Sequence, residues 1–344
     1  MKKLLPILPL LALLFSQCSN DFEVTGDWKE IPVVYGIISP TDTAHYIRVE
    51  KAFLDPEVSA KVIAKIADSL YYPENAIRVY LEQSNGNNRV QLIRVDGVQE
   101  GITRKEGIFA TQPNWLYKVL STDANLQLGQ TYRLVIERAD GREDITALTT
   151  IPADFVIRKP QAGTNLQRQL GFGPSTESTI EWRGDSNAVF FNVSLIIRYQ
   201  ERAANGQLLE TKTLNWAAAK NVKRGIVFPS NPNFYTSEAG ISGRSFYQYL
   251  HDNIPVDPER FRYFVESRII VEGGGKEIEL FQEAAAANAG ITGAETLPTY
   301  TNMSEGYGLF TSKNSTVFGE IYFSKSTVDS MAIHPLTQQL NFRF

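Results

Sequence analysis

The sequence is poor in residues that staple, ligate or attack. One cysteine stands among 344 residues, which excludes an intrachain disulfide. The three histidines, His45, His251 and His334, lie far apart and form no His-x-x-x-His pair. A zinc site would need all three to converge, so they are expected at edges and on the surface. No serine stands in a Gly-x-Ser-x-Gly elbow. Gly240-Ile241-Ser242-Gly243 comes nearest, and there Ser242 reads as a helix N-cap. Asp55-Pro56-Glu57 and Asp257-Pro258-Glu259 hold paired acids, but Asp-Pro also opens turns and helices. A glycosidase needs two carboxylates facing each other across the substrate, which spacing alone does not supply. Positive charge is not in excess: 34 Lys and Arg meet 38 Asp and Glu, for a net −4. That gives no electrostatic ground for binding nucleic acid. No apolar run reaches the roughly 20 residues of a membrane-spanning helix. Internal repeats, heptads and low-complexity tails are missing too. No catalytic residue, cofactor or metal is therefore expected, and the chain reads as a non-enzyme.

What is present begins at the N-terminus. Lys2 and Lys3 precede an apolar run, Leu4 to Phe15, of signal-peptide length. Leu14-Phe15-Ser16-Gln17-Cys18 follows and resembles a lipobox, with Gln17 where Gly, Ala or Ser is usual. The alternative is an ordinary signal peptide with an incidental cysteine. On the lipobox reading, residues 1–17 are removed and Cys18 carries acyl chains such as palmitate, enough of them for stable anchoring. Residues 18–30 then form a lipidated tether. Asp21 and Glu23 behind Cys18 resemble the surface-export signal of Bacteroidota lipoproteins. The expected location is the outer membrane, lipid-anchored and cell-surface exposed, with its periplasmic face as the alternative.

Residues 31–152 read as strand after strand. Ile31 to Ile38 is apolar, and Ile47 and Val49 share one face of a strand whose other face carries Arg48 and Glu50. Ile77, Val79 and Leu81 alternate with Arg78 and Tyr80. Asn85-Gly86-Asn87 and Asp140-Gly141 are turn signals. Between Asp55 and Tyr72, Val58, Val62, Ile63 and Ile66 have helical spacing, so a short helix or long loop interrupts the strands. The expectation is an Ig-like or carboxypeptidase-regulatory-like β-sandwich.

Residues 153–178, rich in Gly, Gln, Thr and Pro, read as a linker or long loop. Residues 179–344 read as a second β-rich domain with short helices. Phe191, Val193, Leu195, Ile197 and Tyr199 alternate along one long strand, and Asn205-Gly206 turns it back. Phe246, Tyr249, Leu250 and Ile254 have helical spacing, and Glu279 to Ala289 suits a helix. Gly171-Phe172-Gly173 and Gly273-Gly274-Gly275 are the Gly-rich stretches. A phosphate cradle needs strand, loop and helix, whereas Glu277-Ile278-Glu279-Leu280 alternates like a strand, so the second is expected to be a hairpin turn. The whole chain is expected to be mainly β.

Several of these segments recur in a known order. Val33-Val34-Tyr35-Gly36-Ile37-Ile38 is followed by Tyr46-Ile47-Arg48-Val49 and Asn75-Ala76-Ile77-Arg78-Val79-Tyr80-Leu81. Leu126-Gln127-Leu128-Gly129-Gln130-Thr131-Tyr132-Arg133-Leu134 then leads through Asp140-Gly141 to Thr149-Thr150-Ile151-Pro152, and Asn302-Met303-Ser304-Glu305-Gly306-Tyr307-Gly308-Leu309-Phe310 stands near the end. This order resembles the Bacteroidota lipoproteins of the DUF4249 family, over nearly the whole mature chain. The resemblance implies a two-part β-rich surface lipoprotein, non-catalytic, working beside a TonB-dependent outer-membrane transporter. It carries no catalytic residues.

Two further sets of residues are candidates. Tyr71, Tyr72, Phe234, Tyr235 and the Tyr247–Tyr249 pair lie in loop-like segments and could form an aromatic platform; core packing is the alternative. A platform would suit a surface adhesin or glycan-binding module. A hydrolase assembled only on folding ranks third. Thr43, Ser69 and Ser330 sit in Asp-Ser/Thr-apolar tripeptides resembling Bacteroidota O-glycosylation sites.

Overall fold

The computed structural model describes residues 30–52, 58–85, 88–163, 167–228, 230–288 and 300–343. Cys18, the signal segment, Asp55-Pro56-Glu57 and the tip of the Asn85-Gly86-Asn87 turn lie outside them.

The first half holds β1 (Ile31–Ile38), β2 (Ala44–Ala52), β3 (Ile77–Gln83), β4 (Arg89–Asp96), β5 (Trp115–Leu120), β6 (Thr131–Arg138) and β7 (Ile145–Thr150). Between β2 and β3 the helical spacing resolves into two single-turn helices, α1 (Ala60–Ile63) and α2 (Ala67–Leu70); a third, α3 (Ser121–Ala124), follows β5. The strands are neighbours in the order β1-β2-β5-β4-β3-β6-β7. Period-two alternation sends Val34, Ile47, Val49, Val79, Leu81, Leu134 and Ile136 to one interior. One sheet thus rolls over to cover its own apolar face.

Residues 153–178, expected as a linker or long loop, contain β8 (Val156–Lys159) and β9 (Arg168–Leu170). The polar composition hides Phe155, Ile157, Leu170 and Phe172, all of which enter the second core. Burying these four side chains outweighs the loop-like character of their neighbours.

The second half comprises β10 (Glu177–Asp185), β11 (Phe190–Arg202), β12 (Leu208–Lys223), β13 (Ile226–Phe228), β14 (Asn231–Ser242), α4 (Gly243–Asn253), β15 (Phe261–Gly274), α5 (Lys276–Asn288), β16 (Tyr307–Phe323), α6 (Lys325–Ile333) and β17 (Phe342–Arg343). Strands β13-β14-β10-β8 form a small sheet, and β12-β11-β15-β16 continue the large one. Between them lie Trp182, Phe172, Phe191 and Phe246, each at most 1% exposed. Phe172 stacks on Phe246 at 4.3 Å. The alternation of β11 is as expected, and Ser242 caps α4 by accepting from the Ser245 N–H at 3.5 Å.

Gly273-Gly274-Gly275 is not a hairpin turn. Gly273 and Gly274 complete β15, and α5 begins at Lys276. A Cβ on Gly273 would stand 2.5 Å from the Phe155 ring and 2.9 Å from that of Phe191. These glycines make room for aromatic packing, and the Glu-Ile-Glu-Leu alternation falls inside a helix.

Strand β16 joins the halves. Its residues Tyr307–Ser312 run parallel to β1, and Lys313–Ile321 run antiparallel to β15. Met303 and Phe310, distant in sequence, pack in the first core. The Asn302-to-Phe310 motif is the seam. The Asn302 side chain pairs with both backbone groups of Phe310, at 2.6 and 2.9 Å. Ser304 pairs with Thr146, and Glu305 with Arg138 at 2.8 Å.

Candidate functional site

An apolar concavity lies on the outer face of β2. Alternation turns Arg48 and Glu50 away from the first core, yet water does not cover them. Segment 58–72, with α1 and α2, roofs one side, and segment 97–114 roofs the other. The Ala110 N–H donates to the Ala64 carbonyl at 2.8 Å and ties the two roofs together.

Glu50 is 8% exposed. Its Oε1 accepts from Arg104 at 2.6 Å and from Arg48 at 3.1 Å. Arg48 also donates to the fully buried Asn114 at 2.7 Å, and Asn114 donates to the Ile102 carbonyl at 2.8 Å. The Tyr71 hydroxyl lies 3.5 Å from both guanidinium groups. Charge-assisted bonds of this kind fix side chains in one geometry. Two guanidinium groups against one carboxylate leave a net positive cluster.

Beside this cluster opens a cleft of about 430 Å³, which Glu50 alone of the three charged groups lines. Val33, Ala60, Leu70, Ile108 and Phe109 wall it, and Lys51 and Lys61 also line it. The Arg104 guanidinium lies 4.8 Å from the centre of the Phe109 ring. Ile108 and Phe109 are 54% and 37% exposed, so apolar surface faces solvent at the mouth. An apolar cavity of a few hundred Å³ with few fixed polar groups is the usual form of a small-ligand site. Arg104, Phe109 and Asn114 were not legible as site residues, because they come from an irregular segment. The one signal was Arg48-x-Glu50 on a strand with an apolar inner face.

The candidate aromatics are not brought together, and for Tyr71, Tyr72 and Tyr247 the core-packing alternative describes where they lie. Tyr71 and Tyr72 are each 4% exposed: α2 turns Leu70-Tyr71-Tyr72 inward, Tyr71 toward the Arg48 and Arg104 guanidinium groups and Tyr72 into the first core. Burial, and then the nearby Glu30 carboxylate, push the Tyr72 phenol well up. Phe234 and Tyr235 are half-buried on β14 in the other half, where the Arg224 guanidinium covers Tyr235 at 4.0 Å. Tyr247 is fully buried and donates to the Phe172 carbonyl at 2.6 Å. Thr43 is exposed in the turn before β2, Ser69 is half-buried on α2, and Ser330 is half-buried on α6.

His45 is not an edge or surface residue: it is 1% exposed. It begins the inward alternation of β2, and the turn around Thr43 folds over it. His251 is half-buried, with Nδ1 2.9 Å from the Leu336 carbonyl. His334 is half-buried and stacks on Tyr247. The three do not converge, and no cluster of three metal-ligating side chains occurs among the described residues.

His45 Nε2 lies 3.1 Å from Ser121 Oγ, an approach of hydroxyl and imidazole that resembles a nucleophile and its base. The Ser121 hydroxyl, however, donates to the Asp42 carbonyl, and His45 Nδ1 has no partner among the described residues. A working pair aims the serine proton at the imidazole and holds Nδ1–H with a carboxylate. Burial lowers the His45 pKa, against a smaller upward pull from Asp42. With the folded value below the unfolded 6.5, stability is full above pH 6.5 and falls as pH drops below it. Urea unfolding at pH 7.5 and pH 5 should show this loss, and His45→Gln should reduce the difference.

Among curated proteins none matches this sequence. A solved structure described as "Crystal Structure of Rst D1-D2" aligns over 86% of this chain and 99% of that one, at 8% identity and a TM-score of 0.19, too slight a likeness for any argument. The family model described as "Domain of unknown function (DUF4249)" matches residues 20–318, from before β1 into β16 and so across both halves. The chain belongs to the DUF4249 family.

Proposed function

We propose that this protein is a non-catalytic binding lipoprotein of the outer membrane, anchored through Cys18 and working beside a TonB-dependent transporter. The observation that carries the binding role is the apolar cleft beside the Arg48–Glu50–Arg104 cluster. Its one carboxylate, Glu50, is already paired with Arg48 and Arg104, which suits holding a ligand better than transforming one. The lipobox and the acids behind it support the envelope location. The buried Tyr71, Tyr72 and Tyr247 remove half of the six aromatics that an adhesin reading draws on.

Fluorescence of N-phenyl-1-naphthylamine should rise saturably with the purified protein. Ala60→Trp, which fills the cleft from an exposed wall position, should weaken binding at least tenfold. Unchanged binding would remove the cleft from the reading. Labelled palmitate should enter the wild type and not Cys18→Ser, and pull-down from native membranes should recover an integral outer-membrane protein. Absence of both would overturn the anchored, transporter-linked part.

A further inference from the structure

Glu277, the second residue of α5, is 6% exposed. No Lys, Arg or His among the described residues lies within 4.0 Å of its carboxylate. Thr311 Oγ1 donates to Oε2 at 3.1 Å. Thr149 Oγ1 lies 3.4 Å from the same oxygen, but it is closer to Ser312 Oγ, at 3.0 Å, and a hydroxyl has one proton to give. Ser312 spends its own proton on the Thr150 carbonyl. Oε1 receives no hydrogen bond from the described residues. A carboxylate is seldom this deeply buried without a charged partner, and the α5 N-terminal dipole offsets only part of the cost.

Glu277 lines a cavity of about 570 Å³ between β7, the start of α5 and the segment before β16. This cavity is separate from the cleft over β2. Thr131, Thr146, Ser304 and Tyr300 bring hydroxyl groups to it, Leu148 and Met303 bring apolar surface, and the exposed Lys276 also lines it without coming within 4.0 Å of the Glu277 carboxylate. An ammonium group has three donors and no acceptor, and hydroxyl oxygens around a carboxylate suit it. A neutral polyol would occupy the acceptors and leave the buried charge uncompensated.

We propose that this cavity binds a small primary amine, its ammonium paired with Glu277 and its carbon body against Leu148 and Met303. The inference does not rest on the cleft or on the anchor. Calorimetric titration with n-butylamine at low salt should give saturable binding to the wild type and to Ala60→Trp. Glu277→Gln, matched in shape, should weaken it at least tenfold. Leu148 is 52% exposed, so Leu148→Lys should fold, place a tethered ammonium at the mouth and abolish binding. No saturable heat with n-butylamine, equal affinity in Glu277→Gln, or preferred binding of glucose would each overturn the proposal.

Discussion

Replacing Arg262 by methionine should destabilise the protein by about 3–5 kcal/mol, the usual cost of breaking a buried ion pair by removing one partner; Arg260 at 2.5 Å and Lys212 at 3.4 Å still reach Glu201 Oε2 from the half-exposed side and cannot fill the place of the buried guanidinium. Arg262 and Glu201 are both fully buried and stand directly opposite each other in the β11–β15 register. Arg262 Nε donates to Glu201 Oε1 at 3.0 Å, and its other nitrogens reach the Leu340 carbonyl at 2.6 Å and the Pro255 carbonyl at 2.9 Å. One guanidinium thus gathers β11, the end of the α4 connection and the C-terminal segment. Burial pushes the Glu201 carboxyl up, but Arg260 and Arg262 outweigh it and hold it below its ordinary 4.5. Its contribution is therefore present above pH 4.5 and lost on further acidification. The double variant Arg262→Met/Glu201→Leu should recover most of the loss, since a well-packed apolar pair often equals a buried ionic one. Urea unfolding of the single and double variants gives the comparison. A single-variant loss below about 1 kcal/mol, the range of an exposed pair, would refute the reading.

Gly308→Ala should cost more than about 3 kcal/mol and loosen the union of the two halves. Gly308 has φ +129°, and a Cβ there would stand 1.7 Å from the Val34 carbonyl oxygen. Backbone cannot yield as a flexible side chain can, so the parallel β1–β16 pairing must open. Gly306, at φ +88°, comes nearly as close to Pro32. Hydrogen exchange should show the loss of protection concentrated in β1 and the first part of β16. Protection spread evenly over β11 and β15 would argue against a local break.

These two sites show what the sequence made legible. Inward alternation in β11 runs Phe191, Val193, Leu195, Ile197, Tyr199, and the next step in that phase is Glu201. Its burial follows from period two alone, but its partner stands on β15, and only the register brings them together. The glycines of the Gly306-Tyr307-Gly308 motif announced a special backbone; that the backbone in question lies against β1 was not readable. Helix α4 was readable from its spacing and its Ser242 cap. The cleft was not, because the 97–114 roof is irregular and the helical spacing of the 58–72 roof does not say what that segment covers. Between a platform and the core, Tyr71 and Tyr72 were left undecided by the sequence, because a single-turn helix sets the direction in which their loop-like segment points.

Strand β16 also bears on how such a gene can be divided. A fragment ending at residue 152 would encode an open roll with no Met303 or Phe310 to fill its interior. A fragment beginning at 153 would carry Tyr307–Ser312 with one edge bare. Neither piece would be a complete transferable module, so a recombination that kept the fold would have to move both halves together.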